Sequence, residues 1–177
     1  MRFVQTGLAG AWLIEPEPIA DARGLFARTF CEREFAGRGI AFRVVQCSTS
    51  FNALRGTLRG MHYQEGAAAE DKLVRCTMGA IHDVIVDLRP ESPTHLQHFG
   101  VELTADNGKM LVVPKGFAHG FLTLTAATEV FYMVGEYHAP QHATGLRHDD
   151  PALAIDWPAP VRVISDRDRN WPSYGAR

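Results

Sequence analysis

The feature that most constrains this chain is the rhythm of its apolar residues. They come in short runs rich in Val, Ile, Leu, Phe and Thr, and Gly, Pro, Asn and Asp cut the runs off. Strands are expected over 11–16, 42–51, 56–64, 72–79, 80–89, 98–105, 109–114, 119–126 and 129–138. Turn signals separate them at Met78-Gly79, Pro90 to Pro93, Asp106-Asn107-Gly108 and Pro114-Lys115-Gly116. In 80–89, Ile81, Val84, Val86 and Leu88 do not alternate cleanly, and Ile85 fills the other face. A strand apolar on both faces is covered on both sides, as in the wall of a packed barrel. The pattern predicts an all-β chain, a jelly-roll barrel or sandwich with a few short helices. The helices fall at 31–39, ending at Gly37 and Gly39, and at 149–158, with Asp150 before Pro151 at the start and Pro158 at the stop.

The length of 177 residues suits one domain, residues 1–177, and 46% hydrophobic residues is too many for disorder. No run approaches the roughly 18 to 20 apolar residues that cross a bilayer. The opening "MRFVQTGLAGAWLIEPEP" is broken by Gln5, Gly7 and Gly10 and reads as a first strand, not a signal peptide. A formal net charge of −2 and a pI near 6.4 exclude a broad nucleic-acid-binding face, so any anion site is local. Cys31, Cys47 and Cys76 form neither a disulfide framework nor a zinc pattern, and fit buried thiols of a cytoplasmic protein.

The densest chemistry lies in "RGTLRGMHYQ" (55–64), where Arg55 and Arg59 approach His62. That grouping suits an anion beside a proton-transfer group. Strand alternation puts Gly60, His62 and Gln64 on one face and Arg59 on the other, unless a bulge at the glycine re-aims the arginine. In "VVPKGFAHGF" (112–121), Pro114 and Gly116 form a tight turn that sets the direction of His119. "PKGFAH" resembles half of the metal-binding cupin pattern. The other half needs an H-x-H and a glutamate, and "HYQEG" supplies one histidine with Glu65 too close in sequence. A metal site needs three or four converging ligands and only two assemble here, so a metal-free site is expected. Lys72 in "DKLVRC" opens a strand: it is a solvated lysine or, if turned into the barrel, a cation for a developing oxyanion. Tyr132 and Tyr137 in "EVFYMVGEYH" are packing residues with wet tips or proton donors. Asp83 and Asp168 are carboxylates able to orient an imidazole, and Arg23 and Arg59 suit bidentate phosphate contacts. A base, an acid and a cation around a ketone would invert a neighbouring stereocentre. No G-x-G-x-x-G supports a nicotinamide enzyme.

Read in order, "DARGLFARTF", "LRGTLRGMHYQ", "DKLVRC", "DVIVDLRPESPTH", "VPKGFAHGF", "EVFYMVGEYHAP" and "DDPALAIDWP" resemble the dTDP-4-dehydrorhamnose 3,5-epimerase family from about residue 20 to about residue 170. The resemblance implies a metal-free, cofactor-free, cupin-type jelly roll. It also implies a homodimer in which the N-terminal strand of each subunit joins the partner's sheet, and a nucleotide-linked 4-keto-6-deoxy sugar as substrate, with no nucleic-acid or membrane partner. By the same likeness, His62 matches the general base, Asp168 its carboxylate partner, Lys72 the enolate stabiliser and Tyr132 the acid on the opposite face. Arg59 and His119 match substrate contacts. Arg23 and Phe26 match a nucleotide-gripping segment that reaches across the dimer, Gln46 a contact near the pocket, and Asp83 a polar residue in its floor. Cys47 and His148 depart from the family pattern. The resulting expectation is an epimerase acting at C3 and C5. The alternatives are a monoepimerase or ketoisomerase on a related sugar, a non-catalytic nucleotide-sugar binding module, and, further off, a metal-dependent cupin oxygenase.

Overall fold

Two antiparallel sheets face each other and enclose the core. The computed structural model describes residues 1–175. In chain order the strands are β1 (Arg2–Gln5), β2 (Trp12–Glu15), β3 (Ile19–Asp21), β4 (Gly24–Phe26), β5 (Gln46–Asn52), β6 (Leu58–Gln64), β7 (Lys72–Met78), β8 (Ala80–Asp87), β9 (His98–Thr104), β10 (Met110–Val113), β11 (Phe117–Thr123), β12 (Thr128–Val134) and β13 (Ala143–Gly145). The α-helices are α1 (Glu32–Ala36) and α2 (Asp166–Arg169), and a 3-10 turn spans Gly66–Ala68. One sheet has six strands in the order β1-β2-β10-β7-β12-β5, and the other has five in the order β13-β6-β11-β8-β9. Strands β3 and β4 form a separate hairpin. This is the expected all-β jelly-roll arrangement with few and short helices.

The core explains the broken alternation in 80–89. Ile81 and Ile85 turn inward and meet Val74, Leu111 and Val130 of the facing sheet. Val84 and Val86 turn outward, but Met61, Leu146 and Leu153 cover them. On the six-stranded sheet, Val74 and Cys76 face in, while Leu73 faces out beneath Phe35 of α1 and Phe42. Burying large side chains of this kind stabilises by roughly 1.5–3 kcal/mol each.

A bulge in β6 matters for the site. His119 pairs with His62 and Phe121 with Arg59, so the step from Arg59 to His62 carries one more residue than the step across β11. The extra residue reverses the alternation, and Arg59 shares the inner side with His62. Two glycines allow the close approach. A Cβ on Gly60, at φ +138, would stand 2.6 Å from Gly120 Cα, and one on Gly120 would stand 2.6 Å from Met61 Sδ.

Several expectations need correction. Residues 149–158 form no helix. Asp150 Oδ1 accepts the N–H of Ala152 at 2.9 Å, Leu153 is buried in the outer cluster, and Ala154 takes φ +48, which ends the turn. The C-terminal helix is α2 instead, where Ser165 Oγ accepts the N–H of Asp168. The strand expected over 42–51 begins only at Gln46, because Phe42 and Val44 are engaged against α1. The strand expected to reach His138 ends at Val134, after which the N–H of Gly135 donates to the carbonyl of Asp71. The thiols are not all buried: Cys76 is, Cys31 is half-buried, and Cys47 is exposed because β5 is a sheet edge. Among the described residues, no helix is long and apolar enough to cross a membrane.

Candidate active site

β6 and α2 bring two residues together across a large separation in sequence. His62 Nε2 lies 2.6 Å from Asp168 Oδ1. An ionised carboxylate only accepts, so Nε2 is the donor in this hydrogen bond and Nδ1 is the ring nitrogen not engaged by Asp168. The His62 side chain is 42% exposed, whereas that of Asp168 is 7% exposed. Burial pushes the Asp168 carboxyl up. The hydrogen bond and positive charge of His62, with N–H groups from Gly60 and Trp171, outweigh it and hold the carboxyl below its ordinary value. Asp168 therefore stays ionised and can orient the imidazole.

A cavity of about 230 Å³ opens beside this dyad, lined by His62, Gln64, Glu70, Lys72, His138 and Arg167 among others. Lys72 is not a solvated lysine: its side chain is 13% exposed and its Nζ lies 2.8 Å from Glu70 Oε1. Gln64 ties the rim together. Its Nε2 donates to Glu70 Oε2 at 3.2 Å and to the carbonyls of Ala68 and Tyr137, and its Oε1 accepts the N–H of Ala139. Gln46 joins the same rim by accepting the N–H of His138 at 2.7 Å.

His119 stands directly opposite His62 on the adjacent strand, so both face the interior. Its Nε2 donates to Asp83 Oδ1 at 2.8 Å. Asp83 is fully buried, and its second oxygen has no hydrogen-bond partner. The His119 ring meets Tyr132 edge-on, with centroids 6.2 Å apart. Tyr132 belongs to the facing sheet, so dyad and phenol occupy opposite walls with His119 between them. Burial first, and then the charge of Asp83, push the Tyr132 phenol far above its ordinary value, while Arg59 and a hydrogen bond with Ser50 pull the other way. The phenol keeps its proton. Arg59 Nε donates to Asn52 Oδ1 at 2.8 Å, beside the phenol.

Of the expected residues, His62 and Lys72 line this cavity. Asp168 joins it through His62 and Gln46 through His138, while His119, Asp83, Tyr132 and Arg59 form a connected group on the strands next to it. Arg23 and Phe26 do not line this cavity. They lie on the β3–β4 hairpin, where Phe26 is 71% exposed. His148 supplies its carbonyl to Trp157 Nε1, and Tyr137 is exposed. Sequence reasoning missed Glu70, Ser50, Asn52 and Trp171. Only the last region carried a local signal, the Ser165-x-x-Asp168 cap that starts α2. Among the described residues, no group of three His, Cys, Asp or Glu side chains is placed to hold a metal ion.

A jelly roll with a carboxylate-paired imidazole on one wall, a protonated phenol on the other and an ammonium at the mouth belongs to the acid–base class, equipped to move protons at carbon beside a carbonyl. The comparisons make this specific. The sequence profile of the dTDP-4-dehydrorhamnose 3,5-epimerase family matches residues 5–175. The chain is 42% identical to the dTDP-4-dehydrorhamnose 3,5-epimerase of Sinorhizobium fredii over 174 residues, 98% of this chain and 89% of that one. The Bacillus anthracis enzyme of the same name, crystallised with TDP and PPi bound, superposes with a TM-score of 0.94 at 42% identity, covering 97% of this chain and 98% of that one. A dTDP-6-deoxy-D-glucose-3,5-epimerase from Legionella pneumophila, in complex with dTDP-4-keto-L-rhamnose, superposes with a TM-score of 0.91 at 36% identity over 97% and 92% of the two chains. The chain belongs to the dTDP-4-dehydrorhamnose 3,5-epimerase family.

Proposed function

We propose that this protein inverts C3 and C5 of a dTDP-linked 4-keto-6-deoxyhexose, using protein side chains alone. The observation that carries the reading is the carboxylate-held imidazole, its Nδ1 not engaged by Asp168, on one wall and a protonated phenol on the other. In each inversion Nδ1 of His62 takes the proton from the carbon next to the ketone. The C–H electrons form the C=C bond of the enolate, and the carbonyl electrons move onto O4, where Lys72 stabilises the charge. Tyr132 then protonates the carbon from the opposite face as the ketone re-forms; His62 releases the abstracted proton to solvent and the tyrosine regains one from solvent, so both groups are reset before the next inversion. Asp168 orients His62 and balances its charge while it holds the proton. Arg59, His119 and Gln46 contact the sugar nucleotide, and Asp83 keeps His119 in place. The Bacillus anthracis relative holds TDP and PPi and the Legionella one a dTDP-keto-sugar, which supports this substrate class here.

The active unit in this reading is a homodimer. Ile19, Leu25 and Phe26 expose apolar surface on the β3–β4 hairpin, and β5 is an open edge. The hairpin of one copy reaches over the partner's cavity mouth, where Arg23 and Phe26 grip the nucleotide.

The test is solvent exchange. With dTDP-4-keto-6-deoxyglucose in D2O, deuterium enters at C3 and C5, and His62→Ala lowers the rate by roughly 10²–10⁴. Label at one carbon only makes the protein a monoepimerase. Tight binding of the sugar nucleotide with no label at either carbon makes it a binding module and overturns the reading.

A further inference from the structure

Asp168 is held by more than His62. Its Oδ1, the oxygen 2.6 Å from His62 Nε2, also accepts the indole N–H of Trp171 at 3.2 Å. Its Oδ2 accepts the N–H of Gly60 at 3.3 Å. The carboxylate therefore has a donor on each oxygen and a second on the one that faces the imidazole. This fixes a torsion that is otherwise broad for aspartate.

The indole is itself held in place. Its ring meets His62 edge-on, with centroids 6.4 Å apart at 75°. The guanidinium of Arg167 stacks 4.9 Å from its centroid. Gly145 of β13 makes room for it, because a Cβ there would stand 2.5 Å from indole Nε1 and Cε2. Gly145 is the residue opposite His62 in the β13–β6 register. One strand pair thus carries the imidazole and the seat of the indole that orients the imidazole's partner.

We propose that Trp171 is a positioning residue for proton abstraction: its indole N–H locks the Asp168 carboxylate so that Oδ1 holds His62 with Nδ1 directed at the cavity. The proposal rests on His62 acting as the base, as read above. Small errors in the placement of a base cost rate out of proportion to their size. Trp171 acts through Asp168, so its loss falls on the chemical step and leaves sugar binding alone.

Trp171→Phe keeps an aromatic ring in the seat and removes the donor. The expected result is a kcat reduced roughly tenfold, as for loss of one hydrogen bond to a charged group, with KM changed by less than about twofold. A residue that only packs would lower the melting temperature and leave kcat of the folded protein intact. A variant with wild-type kcat overturns the proposal. A second measurement covers a variant that fails to fold. The chain has three tryptophans, and one indole N–H signal in the ¹H–¹⁵N spectrum of the wild type is expected to lie downfield and to move upfield in Asp168→Ala. Three unmoved signals overturn the proposal. If the wild-type protein exchanges no deuterium into the sugar, the functional reading fails, and the indole signal still decides whether Trp171 holds Asp168.

Discussion

Strands β5 and β11 are both seven residues long and both carry residues of the site, yet they live in opposite surroundings. All seven residues of β11 are buried, whereas on β5 only Asn52 is. The difference is topological. β11 lies between β6 and β8 in the middle of its sheet, and β5 has a single neighbour, β12. The wall that carries His119 and Asp83 is finished within one chain. The wall that carries Gln46, Ser50 and Asn52 ends in unpaired backbone, an arrangement that invites another strand or another copy. One strand of the site is thus fixed in the middle of its sheet, and the other lies at an open edge.

The largest effect should come from cutting into the finished wall. Asp83→Ala leaves the His119 N–H, in a side chain only 5% exposed, without its acceptor. A buried donor deprived of its partner costs more than the bond contributed. Urea denaturation should show a loss of about 3 kcal/mol at unchanged slope. Asp83→Asn, which still offers an oxygen, should recover most of it. A loss below about 1 kcal/mol in the alanine variant would show that the pair is not what holds His119.

A smaller effect, confined to acid, should come from the end of β8. Asp87 is fully buried. Burial pushes its carboxyl up, but hydrogen bonds from Arg89, Ser92 and Thr94 overcome this and hold it well below the ordinary carboxylate range. The unfolded chain has an aspartate near its ordinary value of about 3.9. Through that range the unfolded state binds the proton first, so the contribution is fully present at neutral pH and declines as pH falls from about 5. Asp87→Asn should lose about 2 kcal/mol at pH 7 and show a shallower further decline between pH 5 and 3 than the wild type. Denaturation curves of the two proteins that stay parallel down to pH 3 would rule the network out as a source of acid sensitivity.

The finished wall was also the more legible in sequence. The broken alternation of Ile81, Val84, Ile85 and Val86 announced a strand covered on both faces, and Pro114 with Gly116 announced the aimed histidine. Gly60 admitted the bulge that brings Arg59 inward. What stayed hidden depends on contacts between distant residues. His62 and Asp168 are 106 residues apart, and only the family likeness linked them beforehand. Lys72 stayed open between a solvated lysine and an inward-turned cation, because nothing local reveals that Glu70 folds back onto it. The helix expected at 149–158 had a good start signal, but burial of Leu153 and the hydrogen bond from Ala152 to Asp150 favoured a single turn. That β5 would be an edge, and Cys47 exposed, follows from strand order, which no periodicity encodes.

The smallest effect on folding should fall on that edge, and it tests the comparison most directly. Phe51 on β5 and Met78 on β7 both pair with Glu129 of β12, and they are 58% and 50% exposed. Replacing a side chain this exposed in an isolated chain changes stability by less than about 0.5 kcal/mol. If the edge is completed by a second copy, the same phenylalanine is buried there and contributes roughly 2 kcal/mol to association. Phe51→Ser should then keep the unfolding free energy of the dilute protein while shifting its sedimentation from twice the chain mass towards the single-chain 19.6 kDa at micromolar concentration. Substrate KM should rise in parallel, because the hairpin carrying Arg23 and Phe26 leaves with the partner. A wild-type protein that sediments as a single chain at tens of micromolar while exchanging deuterium at full rate would mean that both walls are complete in one molecule, and the contrast between β5 and β11 would carry no consequence for catalysis.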